Sequence, residues 1–216
     1  MINTVILDFD GVILESVSVK TEAFRALFSF SPVHLDEIVE YHLSHGGVSR
    51  YDKFRYIYTK ILNAELSEEQ FHYLSDRFAE LVLEGVLKSP YVDGALVFLE
   101  KYYQNLNLFV VSATPEDELK SIIWRRGLVH YFDGIFGAPR KKADCIEKIL
   151  QLPGITSDST IFVGDSSNDL EAAQKTGIRF IGRIMKGDIN RFDSQPGTER
   201  VITDLHELLG FIEENS

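Results

Sequence analysis

The stretch "DFDGVI", residues 8–13, decides how this chain is read. The four residues before it, Thr4–Leu7 (TVIL), form a short apolar, β-branched run of the kind that makes a buried strand in a parallel sheet. That run ends in two carboxylates, Asp8 and Asp10, on either side of Phe9. In extended backbone, residues two apart point the same way, so both acids address one region while Phe9 turns to the other side. Two like charges about 4 Å apart in a partly buried setting repel by roughly 4 kcal/mol, so positive charge is expected beside them. Gly11 follows, a residue that lets the chain turn sharply close to whatever binds there.

The bulk of the sequence limits what that region can serve. At 216 residues, 44% apolar and 12% aromatic, the chain can hold a large core and a second, smaller unit. No apolar run approaches 18 residues, and neither a basic leader nor a cleavage site precedes the first strand, so a soluble, cytoplasmic protein is expected. A formal charge of -11 argues against a nucleic acid or a membrane as partner, since both need a basic face. An anionic substrate would need local positive charge. The lone cysteine, Cys145, rules out an internal disulfide and is expected to pack on a helix.

From Ser16 to Lys88 the pattern is helical throughout. Helices are expected over residues 19–30, from Ser31-Pro32, after Ser49 and after Ser67, where Gln70 completes a capping box. Tyr51, Phe54, Tyr58 and Ile61 recur at helical spacing and read as a core stripe. "SPYVDGALVF", residues 89–98, reads as a return linker. Beyond it strands and helices alternate: strands at 108–112, at Thr160–Gly164 and near Phe180, and helices from Thr114-Pro115 to Gly127, through Ala172 and Ala173, and from about Leu205. "KGDINRFDSQPGTER", residues 186–200, is the one long polar loop. The expected architecture is α/β: a Rossmann-like, doubly wound parallel sheet from residues 1–14 and 90–216, with a helical-bundle cap, residues 15–89, inserted after the first strand.

Three apolar runs end alike: TVIL into Asp8, LFVV into Ser112, TIFVG into Asp165. In an open parallel sheet the ligand crevice lies at the carboxyl ends of the strands, so these endings should meet in space. Asp169 follows Asp165 by one helical turn in "GDSSNDL". Four carboxylates facing one pocket, with no histidine or cysteine cluster nearby, suit Mg²⁺, a hard ion that prefers oxygen ligands.

"DFDGVI", "VVSAT", a lysine near "PRKKAD" and "GDSSND", in this order, resemble the haloacid dehalogenase superfamily, in its branch of phosphoglycolate phosphatases and β-phosphoglucomutases with a helical cap. The resemblance covers essentially the whole chain. It implies that Asp8 is the nucleophile that becomes an aspartyl phosphate. Asp10 would act as general acid and base, its carbonyl also holding metal. Asp8 and Asp165 would ligate Mg²⁺, steadied by Asp169 and Asn168. Ser112, the amide of Ala113, Gly11 and a lysine would hold the phosphoryl group; the family spacing picks Lys142, with Lys141 as runner-up.

Asp10 argues against dehalogenation, because an acid at that position marks the phosphate-processing members. "GDSSND" favours a phosphatase, whereas "GGVSR", residues 46–50, looks like the segment with which the mutase relatives grip their substrate. In the cap, Arg50 and Lys53 lie in the first turn of a helix, where a cation is disfavoured unless an anion arrives. Arg50, assisted by Lys53 or His45, is therefore expected to contact substrate, against the alternative of pairing with acids such as Asp52. Glu15 and Ser16 sit where a hinge must bend. The reading is a Mg²⁺-dependent phosphatase, monomer or homodimer, acting on a small phosphorylated metabolite of sugar phosphate or phosphoglycolate type. A phosphomutase and a non-catalytic binding module are the alternatives.

Overall fold

The computed structural model describes residues 1–215. Six strands form one parallel sheet: β1 (Thr4–Leu7), β2 (Asn107–Pro115), β3 (Gly134–Ala138), β4 (Thr160–Gly164), β5 (Arg179–Arg183) and β6 (Thr198–Ile202), in the order β3-β2-β1-β4-β5-β6. β1 lies between β2 and β4, with Leu7 opposite both Val110 and Val163. From this central strand the chain builds β2 and β3 to one side, then β4, β5 and β6 to the other. The carboxyl ends of β1, β2 and β4 therefore surround the topological switch point, where an open α/β sheet forms its crevice.

All four residues of β1 are buried and they alternate between two cores. Val5 and Leu7 face α5 (Ala95–Tyr102), α6 (Glu116–Arg125) and α9 (Leu205–Glu214), while Ile6 packs with α7 (Lys142–Leu150) and α8 (Ser167–Thr176). Cys145 is buried on α7.

Between β1 and β2 come α1 (Val17–Leu27), α2 (Leu35–Ser44), α3 (Arg50–Tyr56) with a π-helical turn at Ile57–Ile61, and α4 (Glu68–Lys88). Phe24, Phe54 and Phe78 bring α1, α3 and α4 together, with ring centroids 4.9–6.1 Å apart. Phe54, Tyr58 and Ile61 form the expected stripe, while Tyr51 stacks on Phe71 at its margin. Ser49 caps α3 through the Asp52 amide, and Ser67 with Gln70 makes the capping box of α4. Two antiparallel crossings carry the chain in and out: the Glu15 amide donates to the Pro90 carbonyl and the Val92 amide to the Ile13 carbonyl, each at 3.0 Å. No helix among the described residues is long and apolar enough to cross a membrane.

Several expected boundaries move. The helix expected from Ser31-Pro32 begins at Leu35, because Ser31 closes a separate turn, its hydroxyl 3.0 Å from His34 Nδ1. α1 ends at Leu27, three residues early, as the chain turns at Phe28. The return linker already contains the start of α5, opened by Gly94 at φ +77°. Residues 198–200 of the polar loop belong to β6. β3 and β6 escaped the sequence reading because "GIFGA" and "TERVI" carry little alternation or length; pairing with β2 and β5 makes them strands.

Candidate active site

Asp8 leaves β1 with its amide bonded to the Val163 carbonyl of β4 at 2.9 Å, so the sheet fixes its backbone. Its Oδ1 accepts from the Phe9 amide at 2.7 Å, and its Oδ2 accepts from Lys142 Nζ at 2.8 Å. Lys142, the first residue of α7, also donates to Asp169 Oδ1. It is buried in that pairing, whereas Lys141 stands exposed as the helix cap. Asp169 closes the capping box of α8, its Oδ2 accepting from the Ser166 amide at 3.0 Å and from the Ser166 hydroxyl. A Cβ on Gly164 would fall 2.3 Å from Asp169 Cβ, so only glycine lets that helix sit this close to β4.

Asp165 differs from its neighbours in having no cation and no hydrogen-bond donor on its carboxylate among the described residues. Burial, then the charges of Asp8 and Asp169, push its carboxyl well above the usual carboxylate range; burial, with the Asp169 charge, raises Asp8 too, against the lowering effect of Lys142. Burial alone would lower Lys142, but Asp169 and Asp8 outweigh it and hold its ammonium above the usual lysine range. One oxygen from each of Asp8, Asp165 and Asp169 lies within 4.8 Å of the others. This all-oxygen set, three carboxylates against the single Lys142 ammonium, fits a hard divalent cation such as Mg²⁺. Gly11 makes room for it: at φ +80°, a Cβ there would lie 2.3 Å from Asp165 Oδ2.

Asp10 is turned away from that trio. Ser16 Oγ donates to its Oδ1 at 2.6 Å, while Lys20 Nζ and Thr114 Oγ1 both reach its Oδ2. Burial would raise this carboxyl, but the Lys20 charge and the donors from Lys20, Ser16 and Thr114 hold it below the usual range. Lys20 and Thr114 were not singled out from sequence. One signal for Lys20 was present: it follows Ser16 by one helical turn, so both face the same acid. At the end of β2, Ser112 is buried with its Oγ accepting from the Thr114 amide at 3.2 Å, and Ala113 faces the same cavity.

That cavity, about 860 Å³, is floored by the strand ends and roofed by α1–α3. The "GG" turn of the insert meets the floor: a Cβ on Gly47, at φ +73°, would lie 2.3 Å from Ser166 Oγ and 3.3 Å from Lys142 Nζ. Asn168, on the first turn of α8, lies against the same turn. Arg50 lines the cavity but pairs with Glu118 of α6 at 2.7 Å, over the Phe78 ring, and not with Asp52. Lys53 lines it too, with Nζ 3.1 Å from both His42 Nδ1 and the His42 carbonyl. His45 is exposed and packs its ring, tilted by 35°, against Tyr41 with centroids 4.1 Å apart. Where the chain enters the helical insert, Glu15 pairs with buried Arg183, which also donates to the Gly11 carbonyl at 3.1 Å.

Residues 5–183 match the family described as haloacid dehalogenase-like hydrolase. The chain belongs to this family. Among similar proteins is the phosphoglycolate phosphatase of Pseudomonas putida, 28% identical over 149 residues, an alignment that covers 67% of this chain and 54% of that protein. Phosphoglycolate phosphatase 1 of Pseudomonas aeruginosa is 23% identical over 214 residues, covering 95% and 78%. The chain thus spans about half the length of the first relative and over three quarters of the second. The haloacid dehalogenase-like family protein of Streptococcus pneumoniae superposes with a TM-score of 0.74 at 19% identity, covering 98% of each chain, a likeness of fold.

Proposed function

We propose that this protein is a Mg²⁺-dependent phosphomonoesterase that hydrolyses a small phosphorylated metabolite through an aspartyl phosphate on Asp8. The observation that carries this reading is the gathering of Asp8, Asp165 and Asp169 within 4.8 Å, with the Lys142 ammonium bonded to two of them, at the mouth of the sheet. A phosphate dianion entering among carboxylates needs neutralisation, and phosphoryl transfer depends mainly on positioning and charge.

In this reading Asp8, Asp165 and the Asp10 carbonyl would hold the cation, steadied by Asp169, whose carboxylate is fixed by the Ser166 amide. The bound Mg²⁺ would neutralise phosphoryl oxygens and align the ester with Asp8. An Asp8 oxygen attacks phosphorus, the bond to the ester oxygen breaks, and Asp10 in its acid form gives that oxygen a proton. Water then attacks the aspartyl phosphate, losing a proton to the Asp10 carboxylate, and phosphate leaves with Asp8 restored. Lys20 holds Asp10 ionised in the arrangement seen, the form this second half requires. Ser112, the Ala113 amide, Gly11 and Lys142 would hold the phosphoryl oxygens. The helical insert, residues 15–89, would act as a cap that excludes bulk water from the cavity.

The test is release of inorganic phosphate from an aryl phosphate, from 2-phosphoglycolate and from sugar phosphates, with and without Mg²⁺. Phosphate release that requires the ion and is lost in Asp8→Asn is expected. Conversion of a sugar 1-phosphate to its 6-phosphate with little release would make the protein a mutase, and inactivity on the whole panel would make it a binding module.

A further inference from the structure

The cations around the cavity are not equivalent. Lys20 is paired with Asp10, Arg50 with Glu118 and Arg191 with Asp188, while Lys142, at its floor, is shared by Asp8 and Asp169. Lys53 has only neutral partners: the ring nitrogen and the carbonyl of His42, and the face of Phe24 at 5.6 Å. Among the described residues no carboxylate oxygen lies within 4 Å of its Nζ, although Asp36 and Glu40 line the same cavity. The residue is 4% exposed in a chain of net charge -11.

A buried ammonium without a counter-ion is costly and is retained where an anion completes it. His42 cannot supply the missing charge. Burial and the neighbouring lysines hold its imidazole neutral, near a pKa of about 2, so its Nδ1 accepts from the ammonium and fixes where Lys53 points. The phosphoryl group does not need Lys53 either, because the floor already sets Lys142 and the metal-binding acids around it. Lys53 sits in the roof, on α3, across the cavity from the ends of β1 and β4.

We propose that Lys53, held by His42, is the specificity-determining residue of the roof, pairing with a carboxylate carried by the substrate beyond its phosphate. This assignment rests on the phosphatase reading and names the part of the substrate which that reading leaves open. A carboxylate is compact enough to pair with one ammonium beside an aromatic face. The pairing turns an unfavourable buried charge into binding energy that a neutral alcohol phosphate cannot provide.

The test compares 2-phosphoglycolate with ethyl phosphate, in which a methyl group replaces the carboxylate. The wild-type ratio of kcat/KM for the two is expected to exceed about 100-fold, and Lys53→Met to remove most of that discrimination, since the site is built to pair a buried polar group. Lys53→Arg, which keeps the charge, should retain the ratio within about tenfold. A Lys53→Met enzyme that slows on both esters alike, or keeps the wild-type ratio, overturns the assignment while leaving the phosphatase reading intact. If that variant does not fold, the wild-type ratio decides: a value below about 100-fold overturns the assignment. Failure of the wild-type enzyme to release phosphate from any ester removes the phosphatase reading and the assignment with it.

Discussion

Arg50 of α3 and Glu118 of α6 form an ion pair, 2.7 Å long and largely buried, that joins the helical insert to the helix following β2. It ties Arg50, expected from sequence to contact substrate, to the core while the residue still lines the cavity. The pair fastens the roof beside the strand end that carries Ser112.

If Arg50 acts by closing the roof, removing either partner should cost the same. Arg50→Met and Glu118→Gln are each expected to lower kcat/KM by roughly tenfold, and the double variant to be no worse than the singles, as for residues that work as one unit. A much larger loss in Arg50→Met than in Glu118→Gln would return Arg50 to the substrate. Steady-state kinetics on one ester decide it.

Lys20 is expected to act through Asp10. It bonds both the Asp10 carboxylate and Thr114 Oγ1, the latter at 2.7 Å, so it fixes the orientation of the proposed acid and base. Lys20→Met should lower kcat by roughly 10- to 100-fold with KM changed less than about threefold, and Lys20→Arg should recover part of it. A change confined to KM would make Lys20 a substrate contact.

Lys53 gives a dependence of stability on pH. Burial, reinforced by the Lys20 charge, brings it from 10.5 to about 7 in the folded protein. Between those values the unfolded chain holds a proton that the folded one has lost, so stability from this group rises with pH across that window, and below about 7 the buried charge weighs fully against folding. Without substrate, Lys53→Met is expected to be more stable than wild type at pH 6, by a margin that shrinks as pH rises from 7 toward 10. Urea midpoints of the two proteins over that range measure it, and a gap independent of pH contradicts the assignment.

Sequence alone reached the order of the main elements and the acids of the floor, because each of those signals is local. A β-branched run that ends in carboxylates, a glycine after it and an acid one turn into the next helix are set by spacings of two to four residues, which backbone geometry converts directly into direction. The family spacing picks Lys142 over its neighbour Lys141, and burial between Asp8 and Asp169 sets it apart from exposed Lys141. Strands β3 and β6 needed their neighbours, since five residues without clear alternation become strand through pairing rather than propensity.

What only tertiary structure decided is the assignment of partners. Lys20 to Thr114 spans 94 positions and Arg50 to Glu118 spans 68, and no local rule says which of several cations will find an acid across such a separation. Sequence determined that positive charge must meet the carboxylates of "DFDGVI". The packing of the helical insert over the ends of β1, β2 and β4 determined that Lys142 and Lys20 meet them, that Arg50 meets Glu118, and that Lys53 is left facing the cavity on a neutral histidine. The reason is physical: direction along a strand or helix is fixed by neighbours in the chain, whereas charge pairing in a buried cavity is fixed by which side chains the fold brings within a few ångströms.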